Sequence, residues 1–232
     1  VFALLASPLS EGLFQKAISQ SGYLKTNTVE EAINADDDYP RIRRSSSQLF
    51  ASMVDAGVLA DVSTKSAYDV AGNTLMEYYL ELNDQGDVPL TTADGIVISK
   101  EGMLAALADS SNAKDVPVIA GANRDEVTLW MSRHRYFVNA DYLLTRWLPP
   151  RITLRDPDLY AFWARIRSEA WKLRWVDEPL IAMEAAGYPD LYAYRFDWDD
   201  QEIPFFAYLP HLIGSVHAIY IPFAPGPSTH RP

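Results

Sequence analysis

The chain has 232 residues, of which 48% are hydrophobic and 22% are charged, a composition that indicates a globular protein with a sizeable core and excludes collagen-like or disordered classes. Twenty basic against 31 acidic residues give a net charge of −11, which disfavours nucleic acid and anionic membrane as partners. No apolar run approaches the roughly 18–20 residues of a membrane span. Cysteine is absent, which excludes disulfides, catalytic thiolates and cysteine-bound zinc and fits a reducing compartment.

The two ends of the sequence suggest a piece of a longer protein. Residues 1–6 read as the C-terminal half of a helix, without an initiator methionine or a signal sequence. Residues 225–232 form an irregular, proline-rich tail without periodicity. We therefore expect one partial domain over residues 1–224, followed by that tail.

Hydrophobic periodicity predicts the elements of the first half of the chain. They are, in order, a strand over 16–20, a charged loop around 30–44, helices over 45–56 and 66–82, a turn at Asp94-Gly95, and a helix over 100–108. The 45–56 helix is expected to end at Gly57, a residue that suits the left-handed position after a helix.

The second half alternates strands with helices. The apolar run 116–121, which ends in glycine, is typical of a strand buried on both faces, and 190–197 alternates as another strand. Most of 142–186 is predicted to be helical, with Asp156-Pro157 starting one helix, Asp177 capping a second, and Gly187 ending it. One apolar face of the first helix is expected to carry Phe162, Ile166, Trp171 and Trp175. This alternation predicts an α/β sheet.

Two polar segments follow predicted strands and could carry chemistry. Asn123-Arg124-Asp125-Glu126 comes after the buried strand, and Gly214-Ser215-Val216-His217 follows the last one. Ligands and catalytic loops gather at the carboxyl ends of strands in open α/β sheets, and a carboxylate can orient an imidazole that serves as acid and base. From spacing alone, Glu126 could equally cap a helix, and His217 could be a half-buried polar residue. No dinucleotide-binding glycine motif, phosphate-binding loop, HExxH sequence or G-x-S-x-G elbow occurs.

Three segments resemble type-B carboxylesterases, the cholinesterase-like branch of the α/β hydrolases. Residues 7–22 (SPLSEGLFQKAISQSG) are similar to the segment after the family's nucleophile elbow. Residues 116–126 (VPVIAGANRDE) are similar to the strand and turn that carry the triad acid, and 214–223 (GSVHAIYIPF) to the loop that carries the triad histidine. The resemblance runs through nearly the whole chain in the family's order.

The resemblance implies a partial α/β-hydrolase fold, the C-terminal half of a mostly parallel sheet flanked by helices. It implies that Glu126 is the triad acid and His217 the general base, acting on a small-molecule carboxylic ester of moderate size without metal or organic cofactor. The nucleophilic serine and the glycine-rich oxyanion loop would lie upstream of Val1, so the missing N-terminal half would be the partner and the isolated chain would be inactive. Ala218 and Tyr220 stand where the family usually has glycine and an acid, which makes the local loop geometry an open question.

The remaining candidates have plainer interpretations. Ser21 and Ser215 lack an elbow and are expected to be structural, and His134, His211 and His230 match no functional position. Trp147, Trp163, Trp171 and Trp175 fall where the family's helical region covers its pocket, with core packing as the plain alternative. Two rival hypotheses are a non-catalytic, cholinesterase-like adhesion domain and the product of a truncated gene that does not fold alone.

Overall fold

The computed structural model describes residues 1–33, 46–61, 91–142, 150–201 and 207–223. The strands are β1 (Ala17–Gln20), β2 (Asn27–Thr28), β3 (Thr92–Ala93), β4 (Val118–Asn123), β5 (Val138–Asp141), β6 (Arg151–Leu154) and β7 (Leu191–Phe196). The α-helices are α1 (Phe2–Ala6), α2 (Val29–Ile33), α3 (Ser46–Asp55), α4 (Met103–Ala108), α5 (Thr128–Met131), α6 (Pro157–Lys172), α7 (Glu178–Ala186) and α8 (Leu209–Leu212). Within the described ranges, no helix has both the length and the apolar character that a bilayer span needs.

These elements form two compact units. The first unit contains residues 1–2, 12–23 and 113–232, and the second contains 3–11 and 24–112. The predicted helix over 66–82, the acidic residues 36–38 and the proline-rich tail fall outside the described residues.

A three-stranded parallel sheet forms the centre of the first unit. Its order is β1-β4-β7, with Ala17 opposite Val118 and Val118 opposite Leu191. The middle strand, β4, is buried except at Ile119, which is 37% exposed, because it has strands on both sides and α6 against it. The three strands predicted at 16–20, 116–121 and 190–197 are confirmed, with ends shifted by one or two residues.

A small antiparallel pair precedes the long helix of the first unit. β5 and β6 pair with Val138 opposite Leu154 and Asp141 opposite Arg151. Residues 151–154 are thus a strand inside the range 142–186 that was predicted to be mostly helical. In the described part of that range, helical structure occupies 157–186.

Helix α6 begins where the sequence predicted but buries a different face. The Asp156 carboxylate accepts a hydrogen bond from the Leu159 N–H at 2.9 Å, which confirms the predicted N-cap. The buried stripe consists of Tyr160, Ala164 and Ser168, spaced four residues apart. Phe162 and Ile166, which the sequence places on an apolar face of this helix, are both exposed. Two small residues on the inner stripe let the helix approach the turn after β4 closely.

The chain continues from α6 to α7 without a break. A π-helical segment, Leu173–Asp177, joins them, and Asp177 makes no capping hydrogen bond. The prediction that Asp177 caps a separate helix was therefore wrong. Its carboxylate pairs instead with the Lys172 ammonium at 2.6 Å. The predicted end is confirmed, because Gly187 follows α7 with φ 97°.

The second unit is held by short-range caps and a small core. Its core consists of buried apolar side chains that include Leu5, Leu24, Ile98, Met103 and Leu107. The turn at Asp94-Gly95 is confirmed, because the Asp94 carboxylate accepts hydrogen bonds from three backbone N–H groups. These hydrogen bonds lower the pKa of the Asp94 carboxyl, and the one from Ile96 contributes most. Helix α3 ends before Gly57, whose φ of 74° is the predicted left-handed conformation. The helix predicted over 100–108 begins at Met103.

A test of the first unit's packing uses Tyr160, whose buried hydroxyl donates to the Leu212 carbonyl at 2.5 Å. Tyr160→Phe should lower the free energy of unfolding by about 1 kcal/mol at pH 7, because that hydrogen bond is lost. Burial also raises the pKa of the Tyr160 hydroxyl. Above about pH 10 the unfolded phenol ionises while the folded one stays protonated, so the wild type loses stability as pH rises. Urea unfolding at pH 7 and pH 11 should show a smaller alkaline loss for the variant.

The matched control is Tyr142→Phe at an exposed tyrosine. This substitution should change neither the free energy of unfolding at pH 7 nor the stability that is lost between pH 7 and pH 11. Equal effects of the two substitutions would contradict the role given to the Tyr160 hydroxyl.

Candidate active site

Glu126 is a completely buried carboxylate in the turn after β4 (0% exposed). One oxygen, Oε1, accepts hydrogen bonds from the Asn123 backbone N–H at 2.6 Å and from the Ser21 hydroxyl at 2.5 Å. The other oxygen, Oε2, lies 2.6 Å from Nδ1 of His217. Burying a charged carboxylate without partners costs several kcal/mol, so these three contacts are what allow it to remain inside.

His217 lies on a loop that is bound to the same turn by three hydrogen bonds, two of which involve a side chain. The side-chain amide of Asn123 donates to the Val216 carbonyl at 2.5 Å, and the Ser215 backbone N–H donates to the Asp125 carboxylate at 3.0 Å. In return the Asp125 N–H donates to the Ser215 carbonyl at 3.0 Å. The turn that carries the acid therefore also fixes the loop that carries the imidazole, and the two side chains meet although 91 residues separate them.

The geometry brings the two predicted triad residues together and orients the imidazole. With Nδ1 against the carboxylate, the proton-exchanging position is Nε2, the other ring nitrogen. The His217 side chain is 26% exposed, whereas Glu126 has no exposure. A buried carboxylate that orients an imidazole with one accessible side is an arrangement that can serve as an acid–base unit.

Ser21, expected to be only structural, contributes directly to this unit. It follows β1 with φ 53°, a left-handed conformation that costs a residue other than glycine about 1–3 kcal/mol. Its N–H donates to the Gly121 carbonyl at 2.8 Å, which ties the residue to the end of β4. This conformation directs the hydroxyl at Glu126, so the hydroxyl is buried and already engaged. A serine at the end of a strand gives no sequence signal for that contact.

The residue after His217 also has a left-handed backbone. Ala218 has φ 68° at a position where the family that the sequence resembles usually has glycine. The loop therefore keeps a glycine-type conformation without glycine, again at a cost of about 1–3 kcal/mol. Two residues on, the Tyr220 hydroxyl donates to the Gln20 carbonyl at 3.1 Å, and burial raises its pKa, so it remains a neutral donor.

Two tryptophan rings pack against the imidazole and also line a cavity beside it. The rings of Trp130 and Trp171 lie 5.3 and 5.6 Å from that of His217, measured between centroids. Both also line an open cavity of about 530 Å³, called the aromatic cavity below, whose lining includes Trp130, Phe137, Arg167, Trp171, Arg174 and Trp175. Trp175 stacks obliquely on Tyr23 at 4.7 Å. Trp171 and Trp175 thus line a pocket, while Trp163 is 41% exposed on the outside of α6.

None of the other described sequence candidates forms a hydrogen bond with Glu126 or His217, apart from Ser21. Ser215 is buried and its hydroxyl donates to the Phe196 carbonyl at 2.5 Å, in line with the expected loop role. His134 accepts a hydrogen bond from the Tyr136 N–H at 3.2 Å, and His211 packs edge-on against Tyr208. His230 and Trp147 fall outside the described residues. In the described ranges, no group of three or more potential metal ligands is found.

Comparisons with known proteins agree with this fold. No model of a known protein family matches the chain. Solved structures of a para-nitrobenzyl esterase and of a Geobacillus stearothermophilus carboxylesterase superpose with TM-scores of 0.55 and 0.53, at 24% and 21% identity. The match to the para-nitrobenzyl esterase covers 96% of this chain and 45% of the esterase. The match to the Geobacillus carboxylesterase covers 91% of this chain and 44% of that protein. The predicted α/β-hydrolase fold is confirmed.

The sequence comparison points to the same class. The para-nitrobenzyl esterase of Bacillus subtilis (strain 168) is 26% identical over 235 residues, which cover 97% of this chain and 44% of that protein. The resemblance to carboxylesterases is therefore confirmed, and the chain spans less than half the length of the curated relative it matches. The similarity to these esterases, in sequence and in fold, thus extends over nearly all of this chain.

The contact between Ser21 and Glu126 can be tested by stability measurements. Ser21→Ala removes one donor from a buried charge and should lower the free energy of unfolding by about 1.5–3 kcal/mol. Ser215→Ala is the matched control, because that serine is also buried and its hydroxyl donates at the same distance, but to a neutral carbonyl. That loss should be smaller, about 0.5–1.5 kcal/mol. Urea unfolding at pH 7 measures both, and an equal or larger loss for Ser215→Ala would contradict the account.

Proposed function

We propose that the chain supplies the acid and the base, Glu126 and His217, of a Ser-Glu-His triad in a carboxylic ester hydrolase. The observation that supports this most is the 2.6 Å contact between Nδ1 of His217 and a completely buried carboxylate. A binding domain has no need for a buried charge aligned on an imidazole, because such a charge costs stability wherever it is not used. The similarity to esterases over 97% of the chain supports the same function.

In the proposed mechanism, Nε2 of His217 removes the proton from a serine hydroxyl as the serine oxygen bonds to the ester carbonyl carbon. The tetrahedral intermediate then breaks its bond to the alcohol oxygen, which takes the proton from Nε2. Water repeats the sequence on the acyl-enzyme and releases the carboxylic acid. Glu126 stabilises the imidazolium in both halves, and the hydrogen bonds from Ser21 and Asn123 keep that carboxylate oriented.

The nucleophile of this triad comes from polypeptide other than these 232 residues. The sequence contains no G-x-S-x-G elbow, and the Ser21 hydroxyl is buried and donates to Glu126. The oxyanion donors come from the same source, and each such donor is worth roughly 10²–10³ in rate. The isolated chain is therefore proposed to be inactive, with the N-terminal half of the same protein as its partner.

The substrate is proposed to be a carboxylic ester with an aromatic part. The aromatic cavity shares Trp130 and Trp171 with the surroundings of His217, so a group bound there lies next to the base. Its volume of about 530 Å³ falls in the usual range for small-molecule sites, about 300–1,000 Å³. One relative is named for para-nitrobenzyl esters, whose aromatic ring is of a size that suits such a pocket.

The direct test is ester hydrolysis by the product of the complete reading frame that contains these codons. With 4-nitrophenyl butyrate as substrate, His217→Ala should lower kcat by roughly 10⁴–10⁶, because the proton acceptor is lost. Glu126→Gln should lower it by roughly 10²–10⁴, because the amide cannot stabilise the imidazolium. His211→Ala, at an exposed histidine away from Glu126, is the control and should leave kcat unchanged.

The isolated chain is measured in the same assay. Residues 1–232 alone should hydrolyse the ester no faster than buffer. Hydrolysis by the isolated chain that His217→Ala abolishes would contradict the proposed source of the nucleophile. Full activity of the His217→Ala protein would contradict the triad itself.

A further inference from the structure

The aromatic cavity has a local charge opposite to that of the chain. Among the described residues, its lining contains the guanidinium groups of Arg167 and Arg174 and the imidazole of His134, and no carboxylate. The chain as a whole has 31 acidic and 20 basic residues. Neither arginine has an ion-pair partner in the part of the chain that the structure describes. A positive cavity in so acidic a protein indicates an anionic occupant.

Helix α6 and the π-helical segment explain how both arginines reach one cavity. Arg167 precedes Trp171 by four residues and Arg174 follows it by three, the spacings that bring side chains to one side of a helix. Among the described residues, the nearby carboxylates of Glu169, Asp177 and Glu178 form no ion pair with either arginine. Asp177 pairs with Lys172 at 2.6 Å, and Glu169 lines a different cavity on the other side of α6. The two guanidinium groups are therefore available to a ligand that lies against the tryptophans.

We infer that the aromatic cavity binds an aromatic carboxylate, so that the preferred ester carries an aromatic ring with an anionic group. The ring packs against Trp130 and Trp171, and the carboxylate accepts charge-assisted hydrogen bonds from Arg167 and Arg174. Because the same tryptophans contact His217, the bound group lies beside the proposed base. The link to hydrolysis rests on the proposed function, whereas the binding itself does not.

The binding can be measured on residues 1–232 without any catalysis. The ligand pair is 4-nitrobenzoate and its neutral isostere 4-nitrobenzamide, titrated while tryptophan fluorescence is recorded. The carboxylate should bind at least tenfold more tightly at low ionic strength. That preference should shrink as salt is added, because the cavity is open and its charges are screened.

Arginine variants locate the source of the preference. Arg167→Gln and Arg174→Gln should each reduce the affinity for 4-nitrobenzoate severalfold, and the double variant should bind both ligands equally. The affinity for 4-nitrobenzamide should not change in any of them, which shows that the aromatic walls remain folded. Arg165→Gln is the matched control, because Arg165 lies on the same helix but lines the other cavity.

Two results would overturn the inference. One is equal binding of the two ligands by the wild type, and the other is a carboxylate preference that survives in the double variant. Charge-selective binding combined with an inactive complete protein would instead leave this inference standing and contradict the proposed function.

Discussion

The fold around the site depends on the burial of one charge. Glu126 has no contact with solvent, so each segment that meets it must present a donor. Three segments far apart in the sequence do so: the end of β1 through Ser21, the end of β4 through Asn123, and the loop before Ile221 through His217. The left-handed backbone at Ser21 directs its hydroxyl at that charge, so the hydrogen bond to Glu126 offsets the cost of this conformation.

The parallel sheet makes this convergence possible. β1, β4 and β7 run in the same direction, so Ser21 and Glu126 emerge at the same edge of the sheet. The register places Gln20 opposite Gly121, and the backbone hydrogen bond from Ser21 to Gly121 continues that pairing by one residue. Side-chain contacts between residues 123–128 and the 213–217 loop then bring in the imidazole, so the site depends on the parallel sheet and on these contacts together.

Some of this could be predicted from sequence because its causes are local. The strand β4, the N-cap at Asp156 and the left-handed Gly187 each have a strong short-range signal. The capping box at the start of α2, in which Thr28 and Glu31 exchange hydrogen bonds at 2.8 and 3.0 Å, had such a signal in the sequence TVEE and was missed.

The rest depended on tertiary contacts. The apolar pattern of α6 does not indicate its buried face, because small residues at Ala164 and Ser168 permit a close approach there while the larger Phe162 and Ile166 stay exposed. The pairing of Glu126 with His217 remained one alternative among others from spacing, and only the family resemblance singled it out. Nothing local indicates that the Ser21 hydroxyl joins them.

The central claim is that a buried carboxylate holds Nδ1 of His217, and proton NMR of residues 1–232 in water tests it most directly. A proton shared between Nδ1 and Glu126 is protected from exchange and should give a resonance far downfield of the amide envelope. We expect that signal in the wild type and in His211→Gln, a displaced signal in Ser21→Ala, and none in Glu126→Gln. A wild-type spectrum without the signal, or one that Glu126→Gln leaves unchanged, would contradict the account.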